Sequence, residues 1–181
     1  MTSRIARLAG IAALAGAVLV VSAGSASAHR SASRPAAAPT MAQIKARMRH
    51  TIEIGTKGEY FVPVGKPLIL TIKDGRGTGT VTAAVGVRHP TADAKGQLVF
   101  FWHNTAFSSL AADYETTAVI KLTGGGGAFT ITFAHYKASD PLCCPSLKPV
   151  KVTYAWSSDQ MLISNGVPPH TGKKVKVKYQ P

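Results

Sequence analysis

The chain has 181 residues, of which 21 are Lys or Arg and 8 are Asp or Glu, so its formal net charge is +13 with histidine neutral. This length is sufficient for one domain with a substantial hydrophobic core, and two cysteines are too few for a disulfide-dense scaffold. The positive charge favours contact with anionic surfaces or polymers and carries no information about the fold.

Residues 1–28 have the pattern of a secretory signal peptide. Arg4 and Arg7 precede an uncharged apolar run from Leu8 to Val21, and the small residues 26–28 offer a cleavage site. The run is short for a membrane-spanning helix, although an uncleaved anchor is the alternative, and no transmembrane segment is predicted after it. We therefore expect a secreted, extracellular protein, cleaved near Ala28, with 181 − 28 = 153 residues and a charge of 19 − 8 = +11.

The next segment predicts a linker and then a helix. HRSASRPAAAPT, residues 29–40, is rich in Ala, Ser and Pro, which is typical of a flexible linker. Thr40 and Gln43 have capping-box spacing, and apolar residues recur at Met41, Ile44 and Met48. A helix is predicted to about Arg49, at the start of a single mainly-β domain over residues 41–181.

From residue 59 onward the apolar period changes to two, in segments rich in Val, Ile, Thr, Phe and Tyr. The predicted strands are Glu59–Val64, Pro67–Lys73, Thr80–Val87, Gln97–His103, Thr116–Leu122, Ala128–Tyr136, Val150–Trp156, Gln160–Ser164 and Lys174–Tyr179. Short turn signals separate them and favour antiparallel neighbours. The predicted fold class is mainly β (α+β), an antiparallel sheet or sandwich-like domain with a short N-terminal helix.

Familiar catalytic and metal-binding patterns are absent or weak. KDGRGTGTV contains Gly75, Gly77 and Gly79 but lacks the ending of a P-loop, so a hairpin turn is the better interpretation. Asp113 and Glu115 would share one face of a strand and could form an acid/base pair, but a solvated strand edge is the simpler interpretation. The histidines include no close pair, and we predict no catalytic residue, no metal site and no cofactor.

The C-terminal residues 170–181, HTGKKVKVKYQP, predict an alternating strand. Lys174, Lys176 and Lys178 would face one way and deter edge-to-edge aggregation. The alternative is a cationic stripe for anionic cell-wall polymers or nucleic acid. No aromatic residue interleaves with the lysines, so specific nucleic-acid recognition is not predicted.

Four side chains are candidate ligand contacts: Trp102, His103, Tyr136 and Asp140. Aromatic residues in apolar strands pack in the core by default, but one or two could stack on a sugar. The aromatic residues weighed in this way are Trp102, Tyr136, Tyr154 and Trp156.

DPLCCPS, residues 140–146, contains both cysteines of the chain, Cys143 and Cys144. Consecutive Cα atoms are about 3.8 Å apart, below the usual range of about 4.4–6.8 Å for bridged cysteines. Three states are open: a vicinal disulfide, two buried thiols, or intermolecular bridges. Export and the flanking Pro141 and Pro145 favour the vicinal disulfide. It could lock the connection between two strands, offer a sulfur platform to a ligand, or act as a redox switch.

The segment AFTITFAHYKASDPLCCPSLKPVKVTYAW resembles the signature of the LppP/LprE-type lipoproteins, secreted or lipid-anchored proteins of actinobacteria. DGRGTGTVTAAVGV and LVFFWHNTAF are more loosely similar to that family's glycine turn and central aromatic strand, so the resemblance covers about residues 68–158. It implies an exported, envelope-associated protein and transfers no catalytic residue. The chain lacks the lipidated cysteine of the family's lipoproteins, so the resemblance does not imply a lipid anchor.

The leading functional hypothesis is a secreted cell-envelope protein that acts as a non-enzymatic binding or structural accessory. Its partner would be an anionic cell-wall polymer or glycan. One alternative is a redox-active protein that uses the vicinal cysteine pair. Another is a secreted hydrolase, for example with Cys143 as nucleophile and His135 as base. The sequence carries no information about the oligomeric state.

Overall fold

A computed structural model describes residues 36–55, 59–74, 77–90, 96–141, 143–157, 160–171 and 176–179. The predicted signal peptide and residues 29–35 of the predicted linker lie outside these residues. Residues 36–40 have no regular secondary structure.

Helix α1 (Met41–Arg49) begins at the predicted capping box. The amide of Gln43 donates to Thr40 Oγ1 over 3.3 Å, and the amide of Thr40 donates to Gln43 Oε1 over 2.8 Å. Ile44 and Met48 are fully buried. The apolar spacing therefore defines the face that packs on the domain, and the predicted helix is confirmed.

The strands form antiparallel pairs throughout the described part of the chain. They are β1 (Thr51–Glu53), β2 (Tyr60–Asp74), β3 (Gly77–His89), β4 (Gln97–His103), β5 (Ala106–Leu110), β6 (Val119–Gly125), β7 (Ala128–His135), β8 (Leu147–Ser157), β9 (Gln160–Asn165) and β10 (Val177–Tyr179). The first sheet has the order β2-β3-β4-β5, the second has the order β6-β7-β8-β9, and β1 pairs with β10. The mainly-β antiparallel fold with a short helix is confirmed.

Several predicted strand boundaries were wrong. The first two predicted strands form one long strand, β2, with a register shift between Val64 and Leu68, where Gly65 has a φ of +69°. The strand predicted from Thr116 begins at Val119, because Thr116 pairs with β4 and with the C-terminal segment instead. Strands β1 and β5 were not predicted, since both are too short to display a period.

The central strands of the first sheet, β3 and β4, bury side chains on both faces. One face packs against the second sheet, where Phe101 contacts Phe129 and Tyr154 with ring centroids 5.7 and 5.2 Å apart. The other face is covered by α1, and its buried residues include Phe100 and Trp102. Double burial explains why every residue of β4 from 97 to 102 is buried.

The second sheet buries one face only. In β7, Phe129, Ile131 and Phe133 are fully buried in the core between the sheets. Thr130 and Thr132 alternate with them and are half-buried. This period of two leaves the polar side chains of Thr130 and Thr132 on the outer face of β7.

The C-terminal strand β10 is fastened to the helix by Arg47. Its guanidinium carbon lies 3.6 Å from the ring centroid of Phe107 and 3.7 Å from that of Tyr179, which are favourable cation–π distances. Lys176 and Lys178 are exposed and Val177 is half-buried between them. The predicted alternation holds over residues 176–178, whereas Tyr179 is exposed as well. Lys174 lies outside the described residues.

Arg88, near the end of β3, is surrounded by three glutamates. Its Nε lies 2.6 Å from Glu115 Oε1 and 3.7 Å from Glu53 Oε2. Its Nη1 donates to Glu59 Oε2 over 3.0 Å, and Thr171 Oγ1 donates to Glu115 Oε2 over 3.0 Å. Burial, followed by the charge of Glu115, raises the pKa of the Glu53 carboxyl above 4.5, and Arg88 partly offsets this rise. One cation thus joins β3 to three other segments of the chain, and Glu115 joins a fourth through Thr171.

Candidate functional site

The cysteine segment connects β7 to β8. The sulfur atoms of Cys143 and Cys144 lie at disulfide distance, and their Cα atoms are 3.8 Å apart. Both residues are exposed, so the structure does not place them as two buried thiols.

Asp140 organises this connection, which we call the cysteine turn (residues 137–146). The amides of Lys137 and Ser146 donate to Asp140 Oδ2 over 2.7 and 2.9 Å. The Ser146 hydroxyl lies 2.8 Å from Oδ1 and 3.0 Å from Oδ2. Both carboxylate oxygens are therefore engaged in holding the turn, and this is the role that the structure supports for Asp140.

The hydrogen bonds to Asp140 make a testable prediction about acid. Donation from Ser146 and then from Lys137 lowers the pKa of Asp140 below 3.8. A lowered pKa in the folded state means that the stabilisation is complete above 3.8 and is lost as the pH falls through the lower folded value. In an NMR acid titration, the amide signals of Lys137 and Ser146 should shift together with a midpoint below 3.8. Asp140→Asn should abolish this shared shift; if it persists unchanged in that variant, Asp140 does not hold the turn.

A polar pocket of about 380 Å³ adjoins the cysteine turn. Hydroxyl, amine and imidazole groups dominate its lining. The residues are Thr117, Tyr136, Lys137, Ala138, Asp140, His170 and Thr171. The hydroxyls of Thr117 and Thr171 already donate to Ala134 O and Glu115 Oε2. Lys137, Tyr136 and His170 add donor groups, so the pocket suits an acceptor-rich or anionic ligand.

The four predicted ligand contacts lie in three places. Tyr136 and Asp140 meet in the polar pocket. Trp102 is 2% exposed and packs between aromatic rings in the core that α1 covers. His103 lies against Trp156 of the second sheet, with ring centroids 4.4 Å apart. Trp156 also lines a second cavity of about 350 Å³.

Asp113 and Glu115 do not share a face. The Glu115 side chain is 5% exposed beside Arg88, whereas the Asp113 side chain is 72% exposed and lies 3.9 Å from Lys176 Nζ. Residues 113–115 form no regular strand, so the strand geometry assumed for an acid/base pair was wrong. Within the described residues, no group of three or more His, Cys, Asp or Glu side chains is arranged to hold a metal ion.

Lysines and threonines line up across the outer face of the second sheet. The first row is Lys121, Thr132 and Lys151 on β6, β7 and β8. The second row is Thr123, Thr130, Thr153 and Asn165 on β6 to β9. We call these residues the lysine–threonine face. Sequence reasoning missed it because the rows depend on strand register, although the alternation within β7 and β8 was visible.

The second sheet carries no carboxylate in its strands. The sequences VIKLTGG, AFTITFAH, LKPVKVTYAWS and QMLISN contain lysines at 121, 148 and 151 and no Asp or Glu. Lys121 and Lys151 are exposed. The Thr130 and Thr153 hydroxyls lie 3.5 Å apart. The lysine–threonine face is therefore a cationic, hydroxyl-bearing surface.

Comparison with known families gives a match that runs from β3 to the end of β8 and includes the cysteine turn. The family model of the LppP/LprE lipoproteins matches residues 78–159. This part of the chain is similar to the LppP/LprE lipoproteins. The match confirms the resemblance seen in the cysteine segment. It supports association with the cell envelope and establishes no activity.

Neither curated proteins nor solved structures yielded a match to this chain. Within the described residues, no helix has the length and apolar character needed to cross a membrane.

Proposed function

We propose that this protein is a secreted, envelope-associated binding protein without catalytic activity. It holds an anionic cell-wall polymer or glycan on its lysine–threonine face. The signal-peptide pattern of residues 1–28 supports secretion. The observation that carries the proposal is the cationic, acid-free second sheet.

The distribution of acids strengthens this argument. Glu53, Glu59 and Glu115 face Arg88, and Asp140 accepts hydrogen bonds within its own turn. These carboxylates are therefore not arranged to neutralise Lys121 and Lys151. A polyanion that approaches the strands of the second sheet meets lysines and no strand carboxylate.

The geometry suits an extended polymer better than a compact ligand. Neighbouring strands in a sheet are about 4.8 Å apart. The first row therefore presents two amines and a hydroxyl across three strands, and the second row presents three hydroxyls and an amide across four. Lysine amines bind phosphate or carboxylate oxygens, and threonine hydroxyls both donate to and accept from sugar hydroxyls. A charged glycan or a phosphate-bearing polymer matches both groups.

Replacing Lys121 and Lys151 with glutamine should weaken retention on purified cell wall. A polyanion releases about one condensed counterion for each exposed lysine that contacts it. The slope of log affinity against log salt should therefore become shallower by about two units in the double variant. The matched control is Lys45→Gln/Lys66→Gln, which removes the same charge from exposed residues on α1 and β2. Co-sedimentation with cell wall over a range of salt concentrations measures both effects.

The outcomes separate the proposal from a simple charge effect. Equal loss in the two double variants would show that net charge alone drives retention. Equal affinity for wall polymer and for double-stranded DNA of the same charge density would show no preference for glycan chemistry. No retention of the wild-type protein at physiological salt would remove the proposed function.

A further inference from the structure

The bridge between Cys143 and Cys144 restrains nothing beyond its own ring. The two residues are adjacent in the chain, whereas disulfides stabilise folds chiefly by closing long loops in the unfolded chain. The turn has its own framework, since both Asp140 oxygens accept hydrogen bonds and the amide of Cys144 donates to Pro141 O over 3.1 Å. A role as a structural crosslink therefore does not explain the bridge.

The bridge is also accessible. Both cysteines are exposed, and neither belongs to the core between the sheets or to the core beneath α1. The exposed Lys137 begins the turn, and the exposed Lys148 follows it two residues later. The charge of Asp140 is satisfied by hydrogen bonds from Lys137 and Ser146. Exposed disulfides are the ones most open to attack by an external thiolate.

We propose that the Cys143–Cys144 bridge is a thiol–disulfide exchange site that accepts two electrons from a small dithiol while the fold stays intact. One thiolate of the dithiol attacks either sulfur, the S–S bond breaks, and the other cysteine leaves as a thiolate that takes up a proton. The second thiol of the dithiol, as its thiolate, then attacks the mixed disulfide. This releases the remaining cysteine thiolate, which also takes up a proton, and a cyclic disulfide of the reductant departs. Cys143 and Cys144 end as two thiols, and the dithiol has lost two electrons and two protons.

The test is reduction of the folded protein by millimolar dithiothreitol, followed by alkylation and intact mass. The expected result is two added alkyl groups without denaturant and none before reduction. The melting temperature should fall by less than about 3 °C on reduction, the size expected when less than about 1 kcal/mol is lost from a domain of this length. In a parallel sample, the reduced protein is reoxidised before the alkylating reagent is added. It should then take up no alkyl group and should run as a monomer on a non-reducing gel.

Two variants keep the test decisive. Cys143→Ser/Cys144→Ser should melt within the same few degrees as the wild type and take up no alkyl group. Asp140→Ala should retain the exchange but loosen the turn, seen as loss of dispersion in the amide signals of residues 137–146. A bridge that is reduced only in denaturant, a large drop in melting temperature on reduction, or free thiols in the protein as isolated would each overturn the proposal. Because these readouts do not involve cell wall, they are independent of polymer binding.

Discussion

Replacing Arg88 with methionine should lower the free energy of unfolding by about 3 kcal/mol. The arginine side chain is 23% exposed and is the cation against which Glu53, Glu59 and Glu115 are packed. Removing it leaves three carboxylates close together, two of them nearly buried, so each repels the others in a medium that solvates charge poorly. Urea denaturation of the wild type and the variant measures the loss.

The glutamates supply the matched test of this explanation. Because the pKa of Glu53 is already raised, Glu53→Gln alone should cost little near neutral pH, and it should recover part of the loss in the Arg88→Met background. Lys66→Met is the control, since Lys66 is exposed on β2 and its loss should change stability by less than about 0.5 kcal/mol. If Arg88→Met is as stable as Lys66→Met, the cluster contributes nothing to folding.

Replacing Trp102 with alanine should lower the free energy of unfolding by about 3–5 kcal/mol. Its indole is 2% exposed and packs against Phe100 and Phe107, with ring centroids 6.1 and 5.8 Å apart. Truncation leaves a cavity beneath α1 that rigid sheet residues cannot fill. The folded fraction of the variant should retain the wall affinity of the wild type, because Trp102 lies on the face of the first sheet that α1 covers.

Trp156 is the matched control for Trp102. It is half-buried beside His103 and lines an open cavity, so Trp156→Ala should cost about half as much stability or less. Thermal and urea unfolding of the two variants, with wall co-sedimentation of each, measures both properties. A Trp102→Ala protein with native stability and lost affinity would instead assign Trp102 to ligand contact.

Local patterns predicted much of this fold. Thr40 and Gln43 marked the start of α1, since capping depends on residues three apart. The apolar alternation around Phe129 and Ile131 marked β7, because a strand with one buried face repeats every two residues. The cysteine segment marked the family resemblance, which the match to residues 78–159 confirms.

Features that depend on distant pairing were not predictable in this way. Glu53, Arg88 and Glu115 carry no local signal of one another, since they meet only after β1, β3 and the segment following β5 have assembled. Trp102 and Tyr136 look equivalent in sequence, yet one is enclosed beneath α1 and the other lines the polar pocket. The difference arises because a helix covers the first sheet, which no strand pattern can indicate.

The role of Asp140 illustrates the same limit at short range. Asp140 was predicted as a ligand contact, and its oxygens accept hydrogen bonds from Lys137 and Ser146. Aspartate followed by proline is a common start for a turn. The turn signal was therefore the better guide to Asp140, while Tyr136 remains a predicted ligand contact in the polar pocket.

Polymer binding by the lysine–threonine face is tested most directly by NMR titration of the isotope-labelled protein with a soluble anionic wall polymer. We expect the largest amide shifts at residues 121–123, 130–132 and 151–153, with little change in α1 and β2 and with loss of the shifts at high salt. Shifts confined to the first sheet or to α1, or no shifts at any polymer concentration at physiological salt, would contradict the account.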